Sequence, residues 1–215
     1  MVGVEMTEWE RLRELFPWPA ARPGTRPFVH GWTTEERQWA GLLARVPAEA
    51  IVLEVGAWTG KTSLCVLNFA PRARLIAVDI WTESAPALEA FWPIWRAEKQ
   101  VGPADTPKSL YQANLWEQRD RVVLVQADSV AGMLVVAFTG VLPDLVYIDA
   151  QHGEASVYRD VSVAVECFPG ALISGHDYLL SSGSEDSPVA RAVNRCGRER
   201  GLRVEHIGKV WWYER

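Results

Sequence analysis

The chain has 215 residues, of which 48% are hydrophobic and 23% are charged, and this is the composition of one globular domain with its own core. Its formal net charge is −5 and its 22 Lys and Arg residues form no basic block, which argues against nucleic acid as the main partner. The first residues carry acids and no long apolar run, and no stretch reaches the length of a membrane span, so neither a secretory signal nor a membrane partner is expected.

The first 32 residues are predicted to form an N-terminal arm. A short helix is expected around Glu8–Leu15, and the following FPWPAARPGTRPF contains too many prolines for regular structure. Thr33 and Thr34, followed by two acids, predict the start of a helix that continues until Pro47. The main domain is therefore predicted to span residues 33–215.

From residue 51 onward, short apolar strands alternate with helices. The predicted strands are Ile51–Val55, Arg74–Asp79, Val122–Gln126, Asp144–Ile148 and Ala171–Ser174. The predicted helices are Lys61–Asn68, Pro107–Gln118, Val130–Phe138, Glu154–Cys167 and Pro188–Arg200. This alternation predicts an α/β fold with a mostly parallel sheet and helices on both faces. Two last strands, Arg203–His206 and Lys209–Tyr213, are split by Gly208, so the final strand is expected to run antiparallel.

A long connection over residues 80–105 interrupts this alternation and is predicted to be a substrate lid, partly helical over Ala85–Lys99. It contributes to the 11 Trp residues of the chain, a residue type that fills cores and also lines pockets. Trp92 and Trp95 are candidate acceptor contacts, and the loop over residues 178–187 is expected to form another wall of the acceptor pocket.

Ligands of such sheets bind at the carboxyl ends of the strands, and the first strand ends there in Glu54 followed by GAWTGKTS. Gly56 allows the backbone to approach a ligand closely, and Gly60 opens a helix with free N–H groups. An acid at position 54 would repel a pyrophosphate but suits a ligand with an amino group and a sulfonium. Taken alone, this spacing fits a structural turn equally well.

The other strands also deliver acids to this edge. Asp79 can accept both hydroxyls of a ribose, and Trp81 beyond it is placed to lie against an adenine. Asp128 and Ser129 can reach the amine and ring nitrogens of a purine. The fourth and fifth strands are followed by Asp149-Ala-Gln-His152 and by His176-Asp177. Any single acid of this kind is more often a helix cap or a solvated turn, but capping does not explain acids after all five strands.

Five segments have a recognisable order and spacing: LEVGAWTGKTS, AVDIWTES, YQANLWEQRDRVVLVQADS, PDLVYIDAQHGEASVYRDV and PGALISGHDY. In these segments the chain resembles class I methyltransferases dependent on S-adenosyl-L-methionine (SAM). Within that class it is similar to the small-molecule O-methyltransferases related to macrocin O-methyltransferase and the cephalosporin-hydroxylase-type proteins. The resemblance covers roughly residues 50–180 and implies a Rossmann-like, seven-stranded methyltransferase sheet with an antiparallel last strand.

The resemblance also implies which residues bind the cofactor. Glu54, Gly56 and Gly60 would surround its methionine part, Asp79 its ribose, and Asp128 with Ser129 its adenine. The full set of candidate cofactor-binding residues is Glu54, Gly56, Trp58, Gly60, Thr62, Ser63, Asp79, Trp81, Asp128, Ser129 and Asp149.

The segment after the fourth strand carries the catalytic candidates, Asp149 and His152. In the related enzymes these positions supply a metal ligand and a catalytic histidine, and an acidic pair after the fifth strand completes the metal site. Here that pair is His176-Asp177, and its first member departs from the acidic pattern. A divalent metal, Mg²⁺ or Mn²⁺, is therefore implied at Asp149, His176 and Asp177, while its requirement stays open, since a neutral imidazole suits Mn²⁺, Fe²⁺ or Zn²⁺ better than Mg²⁺.

Two routes to an activated acceptor follow. His152 can act as general base, because imidazole titrates near neutrality, or a metal held by Asp149 and Asp177 can lower the pKa of the acceptor hydroxyl. The competing interpretation of His152 is a helix-start histidine bonded to the backbone. His30 and His206 are interpreted as structural.

The sequence thus predicts a SAM-dependent methyltransferase that O-methylates a small molecule, such as a sugar, a polyketide or another natural-product-like acceptor. The alternatives are a family member with different chemistry on the same fold, a non-catalytic SAM-binding protein and, disfavoured by the charge, a nucleic-acid methyltransferase. Cys65, Cys167 and Cys196 have no disulfide or metal spacing, which predicts reduced thiols in a cytoplasmic protein. The oligomeric state stays open, because the arm could cover the site or reach across a homodimer.

Overall fold

The computed structural model describes residues 6–29, 36–82, 102, 105–180 and 182–214. The strands in these ranges are β1 Ile51–Val55, β2 Arg74–Asp79, β3 Val122–Gln126, β4 Leu145–Ile148, β5 Leu172–Gly175, β6 Arg203–Ile207 and β7 Val210–Glu214. The α-helices are α1 Glu8–Leu15, α2 Glu36–Leu43, α3 Lys61–Phe69, α4 Pro107–Asn114, α5 Ser129–Phe138, α6 Glu154–Cys167 and α7 Pro188–Arg200, with a 3₁₀ helix over Trp116–Arg121. No helix within the described ranges has the length and apolarity needed to cross a membrane.

The strands form one sheet in the order β3-β2-β1-β4-β5-β7-β6. Its first five members pair in parallel, and β7 runs antiparallel to both β5 and β6. This confirms the predicted fold class and the antiparallel last strand. Val55 of β1 is aligned with Val78 of β2 and with Ile148 of β4, so the carboxyl ends of these strands lie at the same edge of the sheet.

Several predicted boundaries were wrong by one or a few residues. The helix predicted over Pro107–Gln118 ends at Asn114 and tightens into the 3₁₀ helix, in which Gln118 N–H donates to the Leu115 carbonyl. The fourth strand begins at Leu145 instead of Asp144, because the Asp144 carboxylate accepts the Ile51 N–H at 2.8 Å. This side chain pairs the first backbone N–H of β1 without adding a residue to β4.

The core is divided by the sheet into two clusters. On one face, Leu53, Val55 and Ile76 pack with side chains of α5, α6 and α7. On the other face, Val52, Leu75 and side chains of α2, α3 and α4 form the second cluster. The site edge is therefore supported by packed layers on both sides.

The described part of the N-terminal arm packs against this domain. Trp9 and Leu12 of α1 belong to the first core cluster, and the Trp18 indole N–H donates to the Val122 carbonyl at 2.7 Å. A capping box between Thr7 and Glu10 fixes the start of α1. The residues of the predicted helix cap at 33 and 34, together with His30, lie outside the described residues.

Removal of the Leu12 side chain is expected to destabilise the protein. Leu12 is 0% exposed, whereas Leu15 of the same helix is 59% exposed. A Leu12→Ala substitution should lower the free energy of unfolding by about 2–4 kcal/mol, because it removes buried methyl groups and leaves a cavity. Chemical denaturation of this variant and of the matched control Leu15→Ala measures the difference. Equal effects of the two substitutions would contradict the packing of α1 into the core.

Candidate active site

The turn after β1 brings the cofactor-side candidates against β4. Gly56 has φ +97°, and a Cβ atom there would lie 2.2 Å from the Asp149 carbonyl oxygen. Gly60 has φ +87°, and its Cβ would meet the Leu115 side chain at 2.4 Å. Both positions therefore require glycine. Gly60 gives α3 no side-chain cap, which leaves the first turn of this helix, with Thr62, suited to a carboxylate ligand.

Glu54 is a buried carboxyl at the centre of this edge. It is 1% exposed, and the Ser63 hydroxyl donates to its Oε2. The Tyr111 hydroxyl in turn donates to Ser63 Oγ at 2.9 Å. Oε1 of Glu54 is buried and has no hydrogen-bond partner among the described residues. Burial of an unpaired oxygen is costly, so this atom is a candidate acceptor for a ligand donor.

The surroundings of Glu54 favour its neutral form. Burial raises its pKa to about 8; the Ser63 hydrogen bond opposes this shift, and the Asp149 and Asp79 carboxylates add to it. Glu54 is therefore largely protonated at pH 7 in the ligand-free protein. A cationic ligand next to it would favour its ionised form.

Asp79 organises two tryptophans in left-handed backbone conformations. Its carboxylate accepts the Trp58 N–H at 2.9 Å and the Trp81 N–H at 2.7 Å. Trp58 has φ +48° and Trp81 has φ +40°, a region that bulky residues rarely adopt. Burial raises the pKa of Asp79, and the backbone N–H donors oppose that shift. The Ile80 N–H is a third backbone donor to this carboxylate, and since two carboxylate oxygens offer about four acceptor positions, one is left for a ribose hydroxyl.

The Trp81 indole is turned into the core. It is 4% exposed, packs against Tyr111 with ring centroids 5.2 Å apart, and donates its indole N–H to the Trp58 carbonyl at 2.7 Å. Little of its ring surface is left for a ligand. Its contact with adenine stays a prediction.

The adenine-side candidates have structural partners. Oδ1 of Asp128 accepts the N–H groups of Val130 and Ala131, both at 3.1 Å, and so caps α5. The Ser129 hydroxyl donates to the buried Asp160 at 2.6 Å. The capping role that the sequence left open for such acids is therefore present at Asp128, while adenine binding by Asp128 and Ser129 stays a prediction.

Four side chains from the ends of β4 and β5 face one another next to the Gly56 turn. Nε2 of His152 lies 3.5 Å from Asp149 Oδ1 and 3.2 Å from Asp177 Oδ2. Nδ1 of His176 lies 3.3 Å from the same Asp177 oxygen and 4.0 Å from Asp149 Oδ1. The structure thus brings together all the residues predicted for catalysis and for the metal.

The neighbouring groups of this cluster shift the pKa values of His152 and Asp177 towards the charged forms. A hydrogen bond to Asp149 raises the pKa of His152; partial burial lowers it, and the Asp177 charge raises it further. Burial opposes ionisation of Asp177, but its hydrogen bond with His176 and the charges of His176 and His152, together with Lys209, hold its pKa well below the usual range. The cluster therefore keeps an ionised carboxylate beside an imidazole that is more basic than usual.

The donor set fits a divalent metal. Ligand atoms of Asp149, His176 and Asp177 all lie within 4.8 Å of one another. Pairs of donors around one ion are separated by similar distances, because metal–ligand bonds measure about 2.0–2.3 Å. These three side chains would hold the metal, with His152 at its border.

Sequence reasoning missed two residues of the site. Lys209 lies between β6 and β7, and its ammonium group is 3.2 Å from Asp177 Oδ1. The hydroxyl of Tyr111, in α4, donates to Ser63 Oγ, and the two residues are 48 positions apart in the sequence. Lys209 lies outside the five recognised segments, and Tyr111 is the first residue of one of them but has no role that its residue type or spacing indicates. Only the tertiary fold brings the two residues to the edge. Trp92, Trp95 and most of the predicted lid lie outside the described residues.

Known proteins share this architecture. A family model described as "Methyltransferase domain" matches residues 53–178, more than half of the chain. No curated protein matches the sequence. An O-methyltransferase from Bacillus cereus in complex with SAH (S-adenosylhomocysteine) has a TM-score of 0.58 at 11% identity, over 100% of this chain and 94% of that chain.

Two further solved structures are similar. Rv0187 from MTB, in cofactor-bound form, has a TM-score of 0.57 at 18% identity, over 87% of this chain and 83% of that chain. The fibrillarin pre-rRNA processing protein of Methanococcus jannaschii has a TM-score of 0.50 at 13% identity, over 79% and 67% of the two chains. At these identities the likeness shows a shared fold.

Proposed function

Since the chain belongs to the methyltransferase domain family, we propose that it transfers the methyl group of SAM to an oxygen atom of a small molecule. The observation that carries this proposal is a contact between two halves of the site. The cofactor half-site consists of Glu54, Gly56, Asp79 and the start of α3, and the acceptor half-site consists of Asp149, His152, His176 and Asp177. Gly56 of the acid-bearing turn lies directly against the backbone of Asp149, so a ligand held by Glu54 and Asp79 would end beside the His152 cluster.

The cofactor half-site offers partners for a zwitterionic nucleoside. The unpaired oxygen of Glu54 can accept from an amino group, and the uncapped start of α3 suits a carboxylate. Asp79 can accept from ribose hydroxyls. These groups are held by strand ends and by the Ser63–Tyr111 hydroxyl pair, so the site is organised before a ligand arrives.

The acceptor half-site can remove a proton. SAM, when bound, supplies a methyl group already activated by its sulfonium. His152, with a side chain 57% exposed, is accessible to a hydroxyl of the acceptor and would take its proton on Nδ1, because Nε2 faces the carboxylates and donates its own proton to them. Asp149 and Asp177 would stabilise the resulting imidazolium, because both carboxylates lie within 3.5 Å of Nε2.

A divalent metal is part of the proposal as a group held by Asp149, His176 and Asp177. Bound there, it would supply Lewis-acid stabilisation of the acceptor oxygen. The acceptor is proposed to be a small molecule rather than nucleic acid, because the net charge is −5 and no basic block is present.

An Asp79→Ala variant is expected to lose cofactor binding. In calorimetric titration with SAH, wild-type protein should bind with micromolar affinity. The variant should bind at least about tenfold more weakly, since it loses a charged acceptor and the anchor of Trp58 and Trp81.

A matched control is Asp144→Ala. Asp144 also accepts a backbone N–H from a strand, but it precedes β4 at the opposite edge of the sheet. This variant should keep the wild-type affinity for SAH. If SAH fails to bind the wild-type protein, with or without a divalent metal, the proposed function is wrong.

A further inference from the structure

Nitrogen groups surround the acceptor-side carboxylates on several sides. Asp177 Oδ2 faces both imidazoles, Nε2 of His152 at 3.2 Å and Nδ1 of His176 at 3.3 Å. Its Oδ1 is 3.2 Å from the Lys209 ammonium group. A cation binding between Asp149 and Asp177 would therefore meet a mixed set of nitrogen and oxygen donors.

His176 is the member of this set that departs from the acidic pattern. It is 7% exposed, and its Nδ1 faces both carboxylates, while Trp211 holds its backbone by donating to the His176 carbonyl at 3.2 Å. Mg²⁺ prefers oxygen ligands in octahedral geometry and keeps several waters. An imidazole suits first-row transition metals instead.

Lys209 limits the negative charge that the site offers. Its ammonium group engages Oδ1 of Asp177, which leaves Oδ2 as the oxygen facing the two imidazoles. Two carboxylates and one ammonium carry a combined charge of about −1, so the attraction for a hard dication is weakened. Ions that gain from bonds to nitrogen depend less on this charge.

We propose that this site selects a first-row transition dication, such as Mn²⁺, Co²⁺ or Zn²⁺, over Mg²⁺. His176 sets the preference through its imidazole, and Lys209 strengthens it by neutralising part of the carboxylate charge. The inference rests on the proposed function for the role of the metal in catalysis, but the preference itself is a binding property of these side chains.

Metal titrations of the chelator-treated full-length protein test this preference. Co²⁺ binding is followed by its visible absorption bands, whose positions shift when an oxygen ligand replaces an imidazole nitrogen, and Mg²⁺ binding by calorimetry. Wild-type protein should bind Co²⁺ at least about tenfold more tightly than Mg²⁺. His176→Asp should lower the Co²⁺ affinity and raise the Mg²⁺ affinity, each by about tenfold.

The control is His206→Ala. His206 stacks on Tyr178 and faces Glu185 at 3.2 Å, so its removal should leave both metal affinities unchanged. SAH binding is measured for each variant as a report on folding and on the cofactor half-site. Absence of SAH binding by the wild-type protein would contradict the proposed function. A wild-type protein that binds SAH but does not bind Co²⁺ more tightly than Mg²⁺ would contradict only the metal preference.

A second variant decides the case if His176→Asp does not fold. Lys209→Gln, in a partly exposed position between β6 and β7, should raise the Mg²⁺ affinity more than the Co²⁺ affinity. Two results would overturn the inference: wild-type protein that binds Mg²⁺ as tightly as Co²⁺, or a folded His176→Ala variant with unchanged Co²⁺ affinity and absorption.

Discussion

A His152→Ala variant is expected to lose methyl transfer by about 10²–10⁴-fold and to keep the wild-type affinity for SAH, the range that removal of a general base produces. The structure separates these two properties. The His152 side chain faces Asp149 and Asp177 at the acceptor side. The candidate contacts of SAH are with Glu54, Asp79 and the start of α3.

The pH dependence of the rate has a defined direction. The base must be unprotonated to accept the acceptor proton. Because the hydrogen bond to Asp149 raises the pKa of His152 above the ordinary histidine value of 6.5, the rate should fall as the pH drops through a value above 6.5. An Asp149→Asn variant removes the negative charge of this acceptor and weakens the hydrogen bond, so the fall in rate should move to lower pH.

The measurement is SAH production from SAM with a panel of hydroxylated acceptors, including phenols and sugars. His206→Ala is the matched control and should retain the wild-type rate, since His206 pairs with Glu185 outside the cluster. A His152→Ala variant that retains its rate would exclude this histidine as the base. A variant that loses SAH binding together with turnover would leave the catalytic role unsupported.

Much of the fold follows from the sequence, because the sheet is parallel and buried on both faces. Its strands are short, largely apolar runs such as Val122–Gln126, which stand out between the amphipathic helices. The bounds of β1, β2, β3, α6 and α7 match the prediction. The boundaries that differ depend on tertiary contacts, such as the Asp144 carboxylate that accepts the Ile51 N–H.

The sequence predicted that the site lies at the carboxyl ends of the strands, but it did not predict all the contacts between the residues there. Parallel strands place their terminal acids together, and Asp149, His152, His176 and Asp177 are indeed in one cluster. Periodicity carries no information on the Lys209–Asp177 contact, which spans 32 positions. Nor could it show that the left-handed backbone at Trp81 turns the indole into the core.

Binding of SAH is expected to expel a proton from Glu54, and a Glu54→Gln variant should lose this effect. The pKa of Glu54 is about 8 in the ligand-free protein, and the amino group of SAH is a cation that pairs with the ionised carboxylate. Below pH 8 the affinity of the wild-type protein should therefore fall by up to about tenfold per pH unit. Above pH 8 it should be nearly constant.

Gln has the shape of Glu but cannot ionise. The variant should bind SAH about 100-fold more weakly than wild type at pH 8, since it loses a buried charge-assisted hydrogen bond. Its affinity should be nearly independent of pH from 6 to 8. Calorimetry in buffers of different ionisation enthalpy counts the protons released, and release by wild-type protein equal to that of the variant would contradict the assignment.

The stability of the ligand-free protein should change in the opposite direction. The folded pKa of Glu54, about 8, lies above its unfolded value of 4.5, so the folded state binds the extra proton between these values. Stability is therefore lost as the pH rises from about 4.5 to 8. Glu54→Gln should raise the melting temperature of the ligand-free protein at pH 8 and have little effect at pH 5. A carboxyl group that destabilises the ligand-free protein and stabilises its complex with SAH has a role in binding rather than in folding.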